Sequence, residues 1–166
     1  MKRTSWLLSL CIVLPAGALA GALAADAGGA GTPPAFVPGL GDLMTMSVQP
    51  RHIKLGLAGR AGNWAYAAYE FKELQEALED VSTLQPVWDG KPIGAMLRAE
   101  TERPLRMLEA AIRAKDAPGF AKAYDSLTAG CNQCHGSAAK PEIVIRVPVA
   151  SPFPDQDFKP RGSVSQ

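Results

Sequence analysis

Apolar positions recur at helical intervals through most of the stretch between residues 40 and 136. The clearest run is Ala67, Phe71, Leu74, Leu78 and Val81, spaced by 4, 3, 4 and 3, which puts all five on one face of a helix. Glu70, Lys72, Glu73, Glu76 and Glu79 fill much of the remainder, and Asn63 is a good N-cap for the segment. Upstream, the pattern from Leu40 to about Ala58 is also helical, with a kink expected at Pro50 and a turn over Gly59, Arg60, Ala61 and Gly62. A third helix starts near Pro92 and carries Ile93, Met96, Leu97, Leu105, Leu108 and Ile112, with Pro104 as a kink or a restart. Asp116 caps a fourth, Pro118 suits its first turn, and Phe120, Tyr124, Leu127, Cys131 and Cys134 again recur at 4, 3, 4 and 3. The two cysteines therefore continue the buried face of the last helix.

The flanks read differently. Pro141, Pro148, Pro152, Pro154 and Pro160 exclude a long helix after the fourth, so residues 137–166 are expected as an irregular tail. Ile143 to Val149 is extended and apolar within it and is a candidate short strand packed on the domain. At the other end, Lys2 and Arg3 precede the apolar run Trp6 to Leu14 and two small-residue cleavage candidates, Ala18-Leu19-Ala20 and Ala22-Leu23-Ala24. That is the order of parts in a secretory signal over residues 1–25. Pro15 and Gly17 interrupt the run before it is long enough to span a bilayer, so no membrane span is expected after cleavage. Residues 26–39, rich in Gly, Ala and Pro, form a flexible lead-in to the helical part, 40–136.

Composition narrows the class. With 47% hydrophobic and 20% charged residues in 166, the chain is neither wholly disordered nor polytopic. A formal charge of +1 excludes a basic nucleic-acid binder; losing Lys2 and Arg3 with the signal takes 17 bases to 15 against 16 acids, a charge of −1. Three cysteines are too few for a disulfide scaffold, and Cys11 leaves with the signal.

The two that stay, Cys131 and Cys134, are followed at once by His135, which makes Cys131-Asn132-Gln133-Cys134-His135 a C-x-x-C-H motif for covalent attachment of haem c. Two thiols three positions apart on a helix reach the two vinyl groups of one haem as thioethers. The next residue can then turn its imidazole onto the iron as proximal ligand. A thioredoxin-like dithiol would sit at the start of a helix beside a sheet, whereas this motif lies at a helix end. A zinc site would want a fourth ligand, and His52 is the only other histidine.

With the motif late in the last of four helices, the chain resembles the class II c-type cytochromes, the cytochrome c-prime group. The segment Gln49-Pro50-Arg51-His52-Ile53-Lys54-Leu55, with Ala58-Gly59 and Asn63-Trp64, also resembles a group of uncharacterised bacterial cytochrome-like proteins. The resemblance implies an all-α, up-down-up-down four-helix bundle holding one covalent haem c in the periplasm. It implies electron transfer or gas binding; the tail departs from the group, whose chains usually end soon after the motif. One-electron transfer to a redox partner protein is the expected function. The alternative is a five-coordinate haem module that binds nitric oxide or carbon monoxide. No distal His/Arg pair can be placed by spacing, so no enzyme is expected. The oligomeric state stays open, a dimer included.

The sixth iron ligand is the least determined position. If the first and fourth helices run antiparallel, the start of the first lies beside His135. Leu40, Leu43 and Met44 share a face there, which favours Met44; Met46 lies on a second stripe that Pro50 disturbs. His52 is eight residues past Met44, about 12 Å along a helix axis, and an open site is the remaining alternative. Glu70, Glu73, Glu76 and Glu79 read as the solvated side of an amphipathic helix, since no Glu-x-x-His pair accompanies them. Trp64, Tyr66 and Tyr69 either line the haem or pack at a helix end. Arg51, Lys54 and Arg60 meet haem propionates or water.

Overall fold

The computed structural model of the chain describes residues 36–162. The expected signal at 1–25, the lead-in as far as residue 35 and residues 163–166 lie outside the described residues. Four helices make up the fold: α1 (residues 40–60), α2 (Trp64–Leu84), α3 (Ile93–Ala114) and α4 (Ala117–Ser137). Among the described residues there is no strand, only an isolated bridge between Trp88 and Lys91 in the α2–α3 loop. No helix among them is long and apolar enough to cross a membrane.

The expected caps form. The Asn63 side chain accepts the Tyr66 N–H at 3.2 Å and the Asp116 side chain accepts the Gly119 N–H at 3.1 Å, each satisfying a free donor of the first turn. Lys115, in the left-handed region at φ 55°, ends α3.

The prolines act less simply than expected. Pro50 cannot donate to the carbonyl of Met46, and its ring crowds that oxygen. The chain answers by widening the turn before it: Leu43–Val48 is π-helical, and the Gln49 N–H reaches back five residues to Met44 O. The disturbance lies upstream of Pro50, where α1 slips phase. Pro104 neither breaks nor restarts α3, which runs through it. The missing N–H leaves the Glu100 carbonyl without its helical donor, and α4 closes on that spot: a Cβ on Gly130 would lie 2.6 Å from Glu100 O.

Two readings of the first half are corrected. Gly59 and Arg60 belong to the helix rather than to the turn after it. Gly59 is needed there for close approach, since a Cβ would lie 2.1 Å from Phe120 Cζ. Glu70 is not on the solvated face; it is 1% exposed and bonded to Arg51 Nη1 at 3.3 Å, while Arg51 Nη2 meets Glu73 at 3.0 Å. A buried carboxylate is tolerable only with such a partner. Glu76 and Glu79 remain exposed.

Along the α1–α4 seam, Gly59 meets Phe120, Gly56 meets Tyr124 and His52 meets Thr128, so the two helices run in opposite directions. The residues after α4 pack on the bundle as an irregular strap without the candidate strand. Arg60 donates to the Pro148 carbonyl, Lys54 sits 4.8 Å from the Phe153 ring centre, and Phe158 is buried against Tyr66. Backbone groups of the strap thus take side-chain partners instead of a second strand.

Candidate functional site

A cavity of about 340 Å³ lies between the first turns of α1, the last turns of α4 and the strap, within the range of small-molecule and cofactor pockets. Cys131, Cys134 and His135 all line it. Met44, Val48, Leu78, Ile93 and Leu97 supply apolar wall from the other three helices, so the motif opens onto a largely nonpolar hollow.

Both cysteines are free thiols, Cys134 buried and Cys131 half-buried. Burial pushes the Cys131 thiol up to about 11, and Cys134 is raised as well, by burial first and then by Glu100. Neither is a thiolate near neutral pH, unlike the attacking cysteine of a dithiol oxidoreductase. Among the described residues no three His, Cys, Asp or Glu side chains gather to hold a bare metal ion.

His135 is half-buried, and its Nδ1 lies 2.9 Å from the Ile143 carbonyl. A carbonyl oxygen only accepts, so Nδ1 carries the proton and Nε2 keeps a free lone pair. The partner comes from the strap, eight residues downstream. Asn132, one turn before His135, grips the same segment twice: Nδ2 donates to Ile145 O at 2.9 Å and Oδ1 accepts the Ile145 N–H at 2.7 Å.

The structure separates the three candidates for a second axial ligand. Met44 lines the cavity, half-buried against the core. Met46 is 76% exposed and takes no part in the wall. The π-turn explains this, because it rotates the stripe that Met46 would otherwise share with Leu43. His52 does reach the wall, but each of its ring nitrogens lies 3.0 Å from a buried hydroxyl. Thr128 Oγ1 donates to Tyr124 O at 3.0 Å and so accepts the His52 Nε2–H at 3.0 Å. The Tyr124 hydroxyl lies 3.0 Å from His52 Nδ1 and 2.6 Å from His52 O. Burial pushes His52 down to about 4, so this ring is neutral, with its Nδ1 lone pair facing the buried Tyr124 hydroxyl.

The other candidates are placed away from the cavity. Trp64 packs edge-on against Phe120, and Tyr66 stacks between Tyr69 and Phe158. Arg51, Lys54 and Arg60 spend their charge on Glu70 and Glu73, on Phe153 and on the Pro148 carbonyl. A larger hollow of about 770 Å³, floored by Trp64, Phe71 and Ile112, is an open groove that includes none of the motif.

Periodicity did not reveal Trp88, Asn132, Lys140 or Ile143. Trp88 lines the cavity from a loop, with the Lys140 ammonium 5.7 Å from its ring centre. Asn132 occupies one of the two unspecified positions of the motif, and Ile143 contributes a backbone atom. An apolar residue in a turn-rich loop was the only available signal for Trp88. No family model, curated protein or solved structure matches the chain.

Proposed function

We propose that the chain is an exported c-type cytochrome that carries single electrons through one covalently attached haem, and that it is not an enzyme. The observation that carries this reading is the meeting of Cys131, Cys134 and His135 on one apolar cavity, with the His135 Nδ1–H already held by a backbone carbonyl. The residues present fit the group: two free thiols one helical turn apart, an imidazole with Nε2 free, and a hollow lined mainly by aliphatic side chains. When bound, haem supplies an iron that changes oxidation state by one electron.

In this reading Cys131 and Cys134 hold the porphyrin as thioethers, and His135 offers Nε2 as proximal ligand. Ile143 O takes the Nδ1 proton, fixes the ring and strengthens it as a donor. Met44 is the thioether on the cavity wall and supplies the sixth ligand, which favours electron transfer over gas binding. Val48, Leu78 and Leu97 keep water out and so disfavour the more highly charged state of the iron. The bundle is up-down-up-down, consistent with the opposed α1–α4 seam and the short α1–α2 and α3–α4 links. The signal at 1–25 delivers the chain to the periplasm, where a redox protein is its partner and nucleic acid is not.

The test is expression with haem-maturation machinery, followed by acid denaturation and optical spectra with and without carbon monoxide. One haem should stay on the chain through denaturation, and carbon monoxide should leave the reduced spectrum unchanged. Cys131→Ser combined with Cys134→Ser should yield colourless protein. Covalent haem in that double variant, or none in the wild type, overturns the assignment. Free binding of carbon monoxide by the wild type replaces electron transfer with the five-coordinate gas-binding module.

A further inference from the structure

Asn132 and His135 are three residues apart on α4 and so lie on one face of the helix, the face along which the strap runs. Asn132 meets residue 145 and His135 meets residue 143, so helix and strap run in opposite directions. Three helical residues advance about 4.5 Å and two extended residues about 6.6 Å, close enough for both contacts to form side by side.

The grip of Asn132 also fixes which way the strap faces. In extended backbone the N–H and C=O of one residue point to the same side, and those two residues away point there too. By holding both the N–H and the C=O of Ile145, Asn132 turns that residue's polar edge toward α4. The Ile143 carbonyl also faces α4 and meets His135 Nδ1, while the Ile143 N–H closes a turn onto the Lys140 carbonyl.

We infer that Asn132 is a positioning residue for the iron ligand: its double bond to Ile145 sets the register in which the Ile143 carbonyl holds His135 Nδ1–H, and thereby tunes the reduction potential of the bound haem. The inference rests on His135 being the proximal ligand. The link is indirect, with Asn132 touching the strap and the strap touching the histidine. Losing the Nδ1 bond makes the imidazole a weaker donor, which destabilises ferric iron relative to ferrous and moves the potential upward.

Two variants attack the link at different points. Asn132→Ala removes the grip from the helix side; Ile145→Pro takes away, from the strap side, the N–H that Asn132 Oδ1 accepts. In the full-length haem-loaded protein, both should raise the potential and remove the His135 Nδ1–H resonance seen by nitrogen-15 NMR of the reduced form. In Asn132→Ala the Ile145 amide should also exchange about tenfold faster. Asn132→Asp should behave like Asn132→Ala at neutral pH, where its carboxylate faces the Ile145 carbonyl, and return toward wild type once acid protonates it. Gln133→Ala, an exposed neighbour, should change none of these. An unchanged potential and an unchanged Nδ1–H resonance in both Asn132→Ala and Ile145→Pro overturn the inference. Should the chain carry no haem, the proposed function fails, while the Nδ1–H resonance and the Ile145 amide still decide whether Asn132 sets the register.

Discussion

The two ends of the α1–α4 seam are built on opposite plans. Toward the end of α1, Gly56 and Gly59 bring its backbone onto Tyr124 and Phe120 so closely that a single added carbon at either position would fall within 2.5 Å of a ring atom. Between the two ends, the polar groups of His52, Tyr124 and Thr128 are bonded to one another. Toward the start of α1, the same pair of helices carries a π-turn, larger side chains and a cavity of about 340 Å³. Small residues zip one end shut, and a proline-driven widening of the backbone accompanies the opening at the other. A helix pair can thus be a rigid joint and a cofactor cleft at once, provided the two tasks lie more than a turn apart.

The largest expected effect is at the closed end. Gly59→Val drives a branched side chain into the Phe120 ring and should cost about 3 kcal/mol or more in chemical denaturation. Thr45→Val, on the exposed rim of the open end, should change stability by less than about 0.5 kcal/mol. Equal losses at the two sites would end the contrast.

The buried polar layer between the two ends gives a pH signature. Burial lowers the folded-state pKa of His52 to about 4 from its ordinary 6.5, so the unfolded chain binds the extra proton more readily. The stabilising contribution is therefore complete above about pH 6.5 and is lost as pH falls toward 4, an effect on the order of 2–3 kcal/mol. Denaturation midpoints measured from pH 7 to pH 4 should fall accordingly, and His52→Gln should flatten the slope. An unchanged slope in that variant would assign the acid sensitivity elsewhere.

At the open end the expected change is smaller in energy and larger in colour. Met44→Ala should cost about 1 kcal/mol, because its side chain is only half-buried beside space that already exists. On the proposed function it should also abolish the thioether charge-transfer band and let carbon monoxide bind. Met46→Ala, on the exposed side of the π-turn, should do neither.

How far the sequence could be read follows the same division. Regular 4-and-3 spacing exposed the buried faces of α2 and α4, and Asn63 and Asp116 marked two helix starts, because those features act within a turn or two of chain. The motif was legible as a spacing, and the structure brings Cys131, Cys134 and His135 onto one cavity. What spacing missed depends on partners distant in sequence: Glu70 is buried because Arg51 on another helix meets it, and Gly59 is helical because Phe120 needs the room. The Met44–Met46 question turned on phase. Pro50 warned of a disturbance, but only the backbone bond from Gln49 to Met44 shows how the phase changes. The strap was least legible, since Ile143 acts through its carbonyl and Asn132 through a position that the motif leaves free.

The strap also converts order along the chain into order in time. Residues 131–135 precede the segment at 140–145 that walls the same cavity, so a chain emerging from its N-terminus presents both thiols and the imidazole before their cover exists. A chain cut before residue 140 would therefore keep the three motif residues but lose both the far wall of the cavity and the carbonyl that holds His135 Nδ1.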